Sequence, residues 1–210
     1  MFFTFEGGEG AGKSSLIASL QVTLVATGFR VLVTREPGGT ELGRKIRKLL
    51  LDPYEEKINK RTELLLFLAD RAEHVEQVIR PFLKSGGIVL CDRYSDSTFA
   101  YQEGAVDFEK LFDLCSFATG ALLPHRTFLL DLDPAIGLKR VAHSRRESLD
   151  RMEKKTLEFH KNVRKRFLEI QKQFPQRIHK INAETSAEVV FQTVYAQMTQ
   201  DLKGHQFAPL

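Results

Sequence analysis

Residues Gly7-Gly8-Glu9-Gly10-Ala11-Gly12-Lys13-Ser14 satisfy G-x-x-x-x-G-K-[ST], a spacing whose chemistry is phosphate binding. Four glycines let the backbone curl until successive N–H groups converge on one phosphate, at the positive end of a helix beginning near Gly12. Lys13 then reaches the β- and γ-phosphates, with its ammonium expected on the solvent side of the loop rather than in the core. Ser14 offers its hydroxyl to Mg²⁺, and Ser15 completes the ATP-binding set. A second chemical position is Asp92, which closes the run Val89-Leu90-Cys91-Asp92. A carboxylate there helps organise a Mg²⁺ water shell, and Arg93 follows it at a strand end where open α/β sheets present their chemistry. A guanine-specific switch would need N-K-x-D, and the nearest string, Asn59-Lys60-Arg61-Thr62, lacks the carboxylate.

These residues need a frame, and the pattern of apolar runs supplies one. Phe2-Phe3-Thr4-Phe5 precedes the glycine loop, and the amphipathic set Leu16, Ile17, Leu20 and Leu24 follows it. Five short apolar runs, at residues 2–6, 30–34, 87–92, 126–131 and 177–181, alternate with helix-length segments. That alternation implies βαβ crossovers and a mostly parallel sheet. Gly28 and Gly86-Gly87 stand before the second and third strands, where a helix end wants a residue tolerant of positive φ. In the segment 107–118, Phe108, Leu111, Phe112 and Cys115 share one helical face, read as core packing. Segment 60–84 differs, because Leu64-Leu65-Leu66-Phe67-Leu68-Ala69 is apolar all round and needs cover on more than one side, from the core and from a ligand or second subunit. Residues 139–166 are dense in Lys and Arg, and the helix at 153–173 reads as a solvated charged face.

Composition sets the outer bounds. The 210 residues, 42% of them hydrophobic, suffice for one α/β domain over 1–210, with a small lid at about 140–153 and a frayed tail at about 204–210. No stretch approaches the ~20 apolar residues of a membrane span, and the first strand begins at residue 2, so a cytoplasmic protein without a signal peptide is expected. Cys91 and Cys115 have no metal-ligand spacing and read as buried thiols. The net charge of +4 suits phosphate-bearing ligands, and basic residues scattered among acidic ones argue against a nucleic-acid surface.

Three further strings identify a family. Thr34-Arg35-Glu36-Pro37-Gly38-Gly39-Thr40, Phe67-Leu68-Ala69-Asp70-Arg71, and Asp92-Arg93-Tyr94-Ser95-Asp96-Ser97-Thr98-Phe99-Ala100-Tyr101-Gln102, together with the glycine loop, resemble thymidylate kinases. The likeness runs from about residue 2 to residue 200. It implies a three-layer α/β fold of the P-loop NTPase type, with parallel strand order 2-3-1-4-5 between helices and a small lid. It also implies transfer of the γ-phosphoryl group of ATP to dTMP with Mg²⁺, held through Ser14 and, by way of water, Asp92. For the acceptor, the resemblance assigns Phe67 to stacking on thymine, Arg71 to its O4, and Thr98 and Gln102 to hydrogen bonds with the base. Tyr101 crowds the sugar C2′, Ser97 lies near the phosphate, and Glu9 approaches the 3′-hydroxyl. Glu36, Pro37 and Arg93 complete the dTMP set; Arg47, two turns into the helix after the Glu36-Pro37 loop, reads either as a phosphate contact or as a surface arginine.

Members of this family differ in where the catalytic arginine sits. In one group a basic residue follows the acidic one of the glycine loop, but here that place is Gly10. The stretch Arg145-Arg146-Glu147-Ser148-Leu149-Asp150-Arg151 resembles the lid of the other, bacterial group, so the charge on the phosphoryl in flight is expected from Arg146, then Arg151, then Arg145, beside Lys13 and Arg93 as catalytic residues. Ile181-Asn182-Ala183 departs from the family's usual I-D-A beside adenine. The family's habit of pairing through helices, with the all-round apolar helix, implies a homodimer.

Overall fold

The structure is a computed structural model and describes residues 1–52, 58–102, 104–144 and 150–204. Its centre is β1 (Phe2–Glu6), every residue of which is buried. Phe3 and Phe5 face one layer and Phe2 the other, the two-residue alternation of a strand covered on both sides. Around it stand β2 (Val31–Arg35), β3 (Ile88–Asp92), β4 (Arg126–Asp131) and β5 (Ile178–Asn182), all parallel, in the order β2-β3-β1-β4-β5. The resemblance implied this order. Three of the strands sit one residue later than the apolar runs suggest at one or both ends.

On one face, α1 (Lys13–Ala26) and α9 (Ala187–Lys203) place Leu20, Leu24, Val194 and Met198 against Phe3, Phe5 and Phe128. The other face is covered in part by α3 (Lys60–His74) and the π turn Val75–Ile79 that leads into α4 (Arg80–Lys84), so the expected 60–84 segment is three pieces. Val75 and Ile79 there meet Phe2, Val89 and Cys91. Beside them α5 (Ser95–Tyr101) and α8 (Leu157–Gln173) bury Ala100, Val163, Phe167 and Ile170, so α8 is amphipathic rather than wholly solvated. Asp96 ties α5 to the sheet by accepting from both Arg177 nitrogens at 2.7 Å. α2 (Glu41–Leu51) is capped by the Thr40 hydroxyl, and α7 (Pro134–Ser144) continues through residues expected in the lid. Both cysteines are buried and unpaired. No helix among the described residues is long and apolar enough to cross a membrane.

One packing expectation is corrected. On α6 (Phe108–Thr119), Leu111 and Cys115 are buried against Leu64 and Leu68, but Phe108 and Phe112 remain 46% and 43% exposed. The two rings lean on Phe99, at 5.4 and 6.3 Å, at the rim of the core. Leu65 is also 58% exposed, so α3, which packs against α2 and α6, leaves one face uncovered among the described residues.

Candidate functional site

Parallel register brings Asp92 level with Phe5 and with Arg35, so the carboxyl ends of β1, β2 and β3 open into one cleft of about 480 Å³. One end is the glycine loop. Gly12 caps α1 with φ 90° and leaves the first turn of N–H groups at the cleft. Lys13 is buried, contrary to the expected solvent-side position, and its Nζ donates to the Gly7 and Gly8 carbonyls at 3.1 and 3.0 Å. The ammonium thus braces the loop from within. Burial, and then the nearby Arg93 charge, lowers its pKa. Ser14 Oγ donates to Asp92 Oδ2 at 2.8 Å, joining the two positions expected around a metal. Hydroxyl and carboxylate are hard oxygen donors, and two protein groups beside substrate phosphates suit Mg²⁺.

Gly10 has a steric reason. Its φ is 70°, and an added Cβ would lie 2.2 Å from the Gly137 carbonyl of α7. No basic side chain fits at that place without moving α7, so the loop's charge comes from elsewhere.

The middle of the cleft belongs to Arg93, a non-glycine residue at φ 70° whose N–H donates to Phe5 O at 3.0 Å. This sparsely populated conformation turns its guanidinium back over the loop. Nη1 donates to Gly7 O at 2.9 Å and Nη2 to Glu9 Oε1 at 2.8 Å, with the Tyr101 ring 5.1 Å beneath. The Tyr101 hydroxyl donates to the same Glu9 oxygen at 3.1 Å. Burial alone would raise the Glu9 pKa, but Arg93 and then Lys13 pull it to about 2.

Sequence reasoning missed Glu6, the last residue of β1. It is buried, with Oε1 accepting from the N–H groups of Tyr94 and Ser97 and Oε2 from the Ser97 hydroxyl at 2.5 Å. Burial, and then Asp96, raises its pKa to about 7. Ser97 is therefore committed to Glu6 as well as standing at the cleft. The available signal was an acid ending an otherwise apolar strand.

At the other end stand Phe67 and Arg71, one helical turn apart on α3, with Thr98, Tyr101 and Gln102 of the α5 segment. Arg71 Nε donates to Glu36 Oε2 at 2.7 Å, Nη1 to Thr98 Oγ1 at 2.7 Å and Nη2 to the Tyr94 carbonyl at 3.0 Å. A guanidinium has five N–H groups, so these three contacts leave N–H capacity over, with the Cys115 sulfur also within reach of the group. Burial would lower the Arg71 pKa, but Glu36 raises it above its ordinary value. Gln102 Nε2 donates to Glu63 Oε1 at 3.0 Å. Pro37 and Arg47 line the same wall, where Arg47 Nη1 holds the Pro37 carbonyl at 2.9 Å.

The lid residues part company. Arg145 and Arg146 lie outside the described residues, as does the tail from 205. Arg151 departs from the expectation of a phosphoryl-facing group, because its Nε donates to Leu50 O at 2.8 Å and its Nη2 pairs with Glu63. At the donor side, Arg140 Nη1 reaches the Ala183 carbonyl at 3.3 Å, and Asn182 Oδ1 accepts from Glu184 N at 3.0 Å, so the asparagine closes its own turn.

Comparison with known proteins gives one family. The sequence model of the thymidylate kinase family matches residues 5–194. A thymidylate kinase of Protochlamydia amoebophila is 47% identical over 199 residues, covering 91% of this chain and 88% of that protein. Thymidylate kinases of Magnetococcus marinus and Gloeobacter violaceus are 46% and 45% identical, over 94% and 98% of both chains respectively.

Proposed function

The chain belongs to the thymidylate kinase family, and we propose that its cleft transfers the γ-phosphoryl group of ATP to the 5′-phosphate of dTMP, giving dTDP and ADP. One observation carries the reading. A phosphate loop with its Ser14–Asp92 pair and a buried Arg71 with N–H capacity beyond its three oxygen partners line one cleft. In such a cleft an oxygen of the dTMP phosphate attacks the γ-phosphorus, and the bond to the β–γ bridging oxygen breaks with its electron pair passing to ADP. No protein group needs to take up a proton.

The residues divide the work by position. Loop N–H groups and Lys13 hold the donor phosphates, and Arg93 lies between loop and acceptor to steady the two anionic partners. Mg²⁺ held by Ser14 and, through water, by Asp92 would neutralise charge on the β- and γ-oxygens. Arg145 and Arg146 are proposed to reach the phosphoryl in flight, while Arg151 anchors the residues after them. Phe67 stacks on the base, Arg71 and Thr98 face its C4 carbonyl edge, Gln102 completes that edge, and Glu9 with Tyr101 faces the sugar. Residues 1–210 act as one nucleoside monophosphate kinase domain. The exposed apolar groups Leu65, Phe108, Phe112 and Phe117, the last 87% exposed, support pairing through α3 and α6 into a homodimer. Two unpaired buried thiols suit a cytoplasmic location.

A panel of acceptor monophosphates with ATP and Mg²⁺ tests the reading. Arg71 can only donate, so the amino group of cytosine leaves a buried donor unpaired, whereas dUMP loses only the contact of one methyl group. The expected order in kcat/KM is dTMP, dUMP, dCMP. A purine monophosphate or dCMP as best acceptor would overturn it.

A further inference from the structure

His74 lies three residues beyond Arg71 on α3, fully buried, and it is absent from the cleft wall. Its Nδ1 stands 2.9 Å from Glu36 Oε1 and its Nε2 2.6 Å from Thr34 Oγ1. The other Glu36 oxygen is the one that accepts from Arg71 Nε. Half-buried Thr34 and the buried His74, Glu36 and Arg71 therefore form a continuous chain, from β2 through α3 and the loop after β2 to the acceptor end of the cleft.

A carboxylate held by a single hydrogen bond turns about its last torsion and lets its partner turn with it. With Oε1 on His74 and Oε2 on Arg71, the Glu36 plane is fixed, and with it the plane of the guanidinium. The ring itself is pinned by backbone, since a Cβ at Gly39 would lie 2.3 Å from His74 Nε2. An ionised Glu36 can only accept, which places the proton of the ring on Nδ1 and leaves Nε2 to meet the threonine hydroxyl.

We propose that His74 is a positioning residue for acceptor choice: by fixing Glu36 it aims the remaining N–H capacity of Arg71, so that discrimination between a carbonyl and an amino group at C4 depends on a side chain that never touches the nucleotide. The proposal rests on the thymidylate reading of the cleft.

The test compares His74→Ala, His74→Asn and Thr34→Val in the full chain, with kcat and KM for dTMP, dCMP and ATP and a thermal melt of each. His74→Ala should raise the KM for dTMP by about 10- to 100-fold, the effect of losing one buried charge-assisted hydrogen bond. It should compress the dTMP-over-dCMP ratio by a similar factor and leave the KM for ATP unchanged. Asparagine places an amide N–H near the position of Nδ1, so His74→Asn should restore most of the ratio. A folded His74→Ala that keeps the parent's ratio overturns the proposal. So does a His74→Asn no better than alanine, because a purely structural role moves the melt and not the ratio. Should His74→Ala fail to fold, Thr34→Val decides: a rise in the dTMP KM with a smaller ratio supports the relay, and parent values overturn it. A parent that prefers another acceptor overturns the thymidylate reading alone, and the same variants compared on that acceptor still decide the role of His74.

Discussion

Replacing Asp70 by asparagine should make the protein gain stability relative to its parent as pH rises. Asp70 is buried on α3 with Oδ1 accepting from Gly38 N at 2.9 Å. Burial, and then the Glu36 charge, raises its pKa from 3.8 to about 6, against the opposing pull of Gly38 N–H, His74 and Arg71. A carboxyl that binds its proton more tightly when folded contributes stability that is complete below 3.8 and lost as pH rises through about 6. The whole shift corresponds to ~3 kcal/mol, and with those two pKa values ~1.4 kcal/mol of it is lost between pH 5 and pH 8. Asparagine is neutral throughout and still accepts from Gly38. Urea unfolding of both proteins at pH 5, 6, 7 and 8 isolates Asp70 with its immediate neighbours, because titrations remote from it, including that of Glu6, are shared and cancel in the difference. The variant-minus-parent stability should climb by about that ~1.4 kcal/mol while the KM for dTMP stays at the parent value. A flat or falling difference would refute a buried, raised Asp70.

Lys13→Met should lower turnover by at least about 100-fold and also soften the glycine loop, since two carbonyls lose their donor. Undiminished turnover would remove Lys13 from the mechanism. Arg151→Met should change kcat by less than about tenfold, while Arg146→Ala costs on the order of a thousandfold. Equal losses would return Arg151 to the reacting phosphoryl. Light scattering should give twice the 23.9 kDa chain mass, and Leu65→Glu with Phe112→Glu should halve it. A parent that already runs as a single chain contradicts the helix-paired dimer.

The donor end was legible because its signals are local. A glycine loop between an apolar run and an amphipathic helix fixes its own geometry, and the strand order followed from the resemblance those strings carry. The acceptor end was legible as a set of residues and not as a network. Arg71 could be assigned to the base, but nothing in its helical spacing says that three of its N–H groups are spent on Glu36, Thr98 and Tyr94. Arg151 reads as one more lid arginine until Glu63 is brought beside it by tertiary packing. On α6 the spacing of Phe108 and Phe112 matches a core face, yet exposure depends on how far α3 extends over it, which periodicity does not encode.

Glu36 and His74 illustrate the limit in another way. They lie 38 residues apart, and the segment around each looks self-sufficient: a turn rich in glycine, and a helix with an Asp-Arg pair. Folding makes them halves of one buried cluster, in which Gly38 donates to Asp70, Gly39 presses on His74, and Glu36 joins His74 to Arg71. Gly39 is then explained by the His74 ring against it and Gly38 by its own φ of 110°, while Asp70 and His74 on the helix each find a partner in the turn. Buried polar groups persist only when every member is paired, so changing one half without the other leaves a charge or a donor stranded. The turn and the helix therefore act as a single recognition unit, and the chemistry of the base edge is set as much by the residues beneath Arg71 as by Arg71 itself.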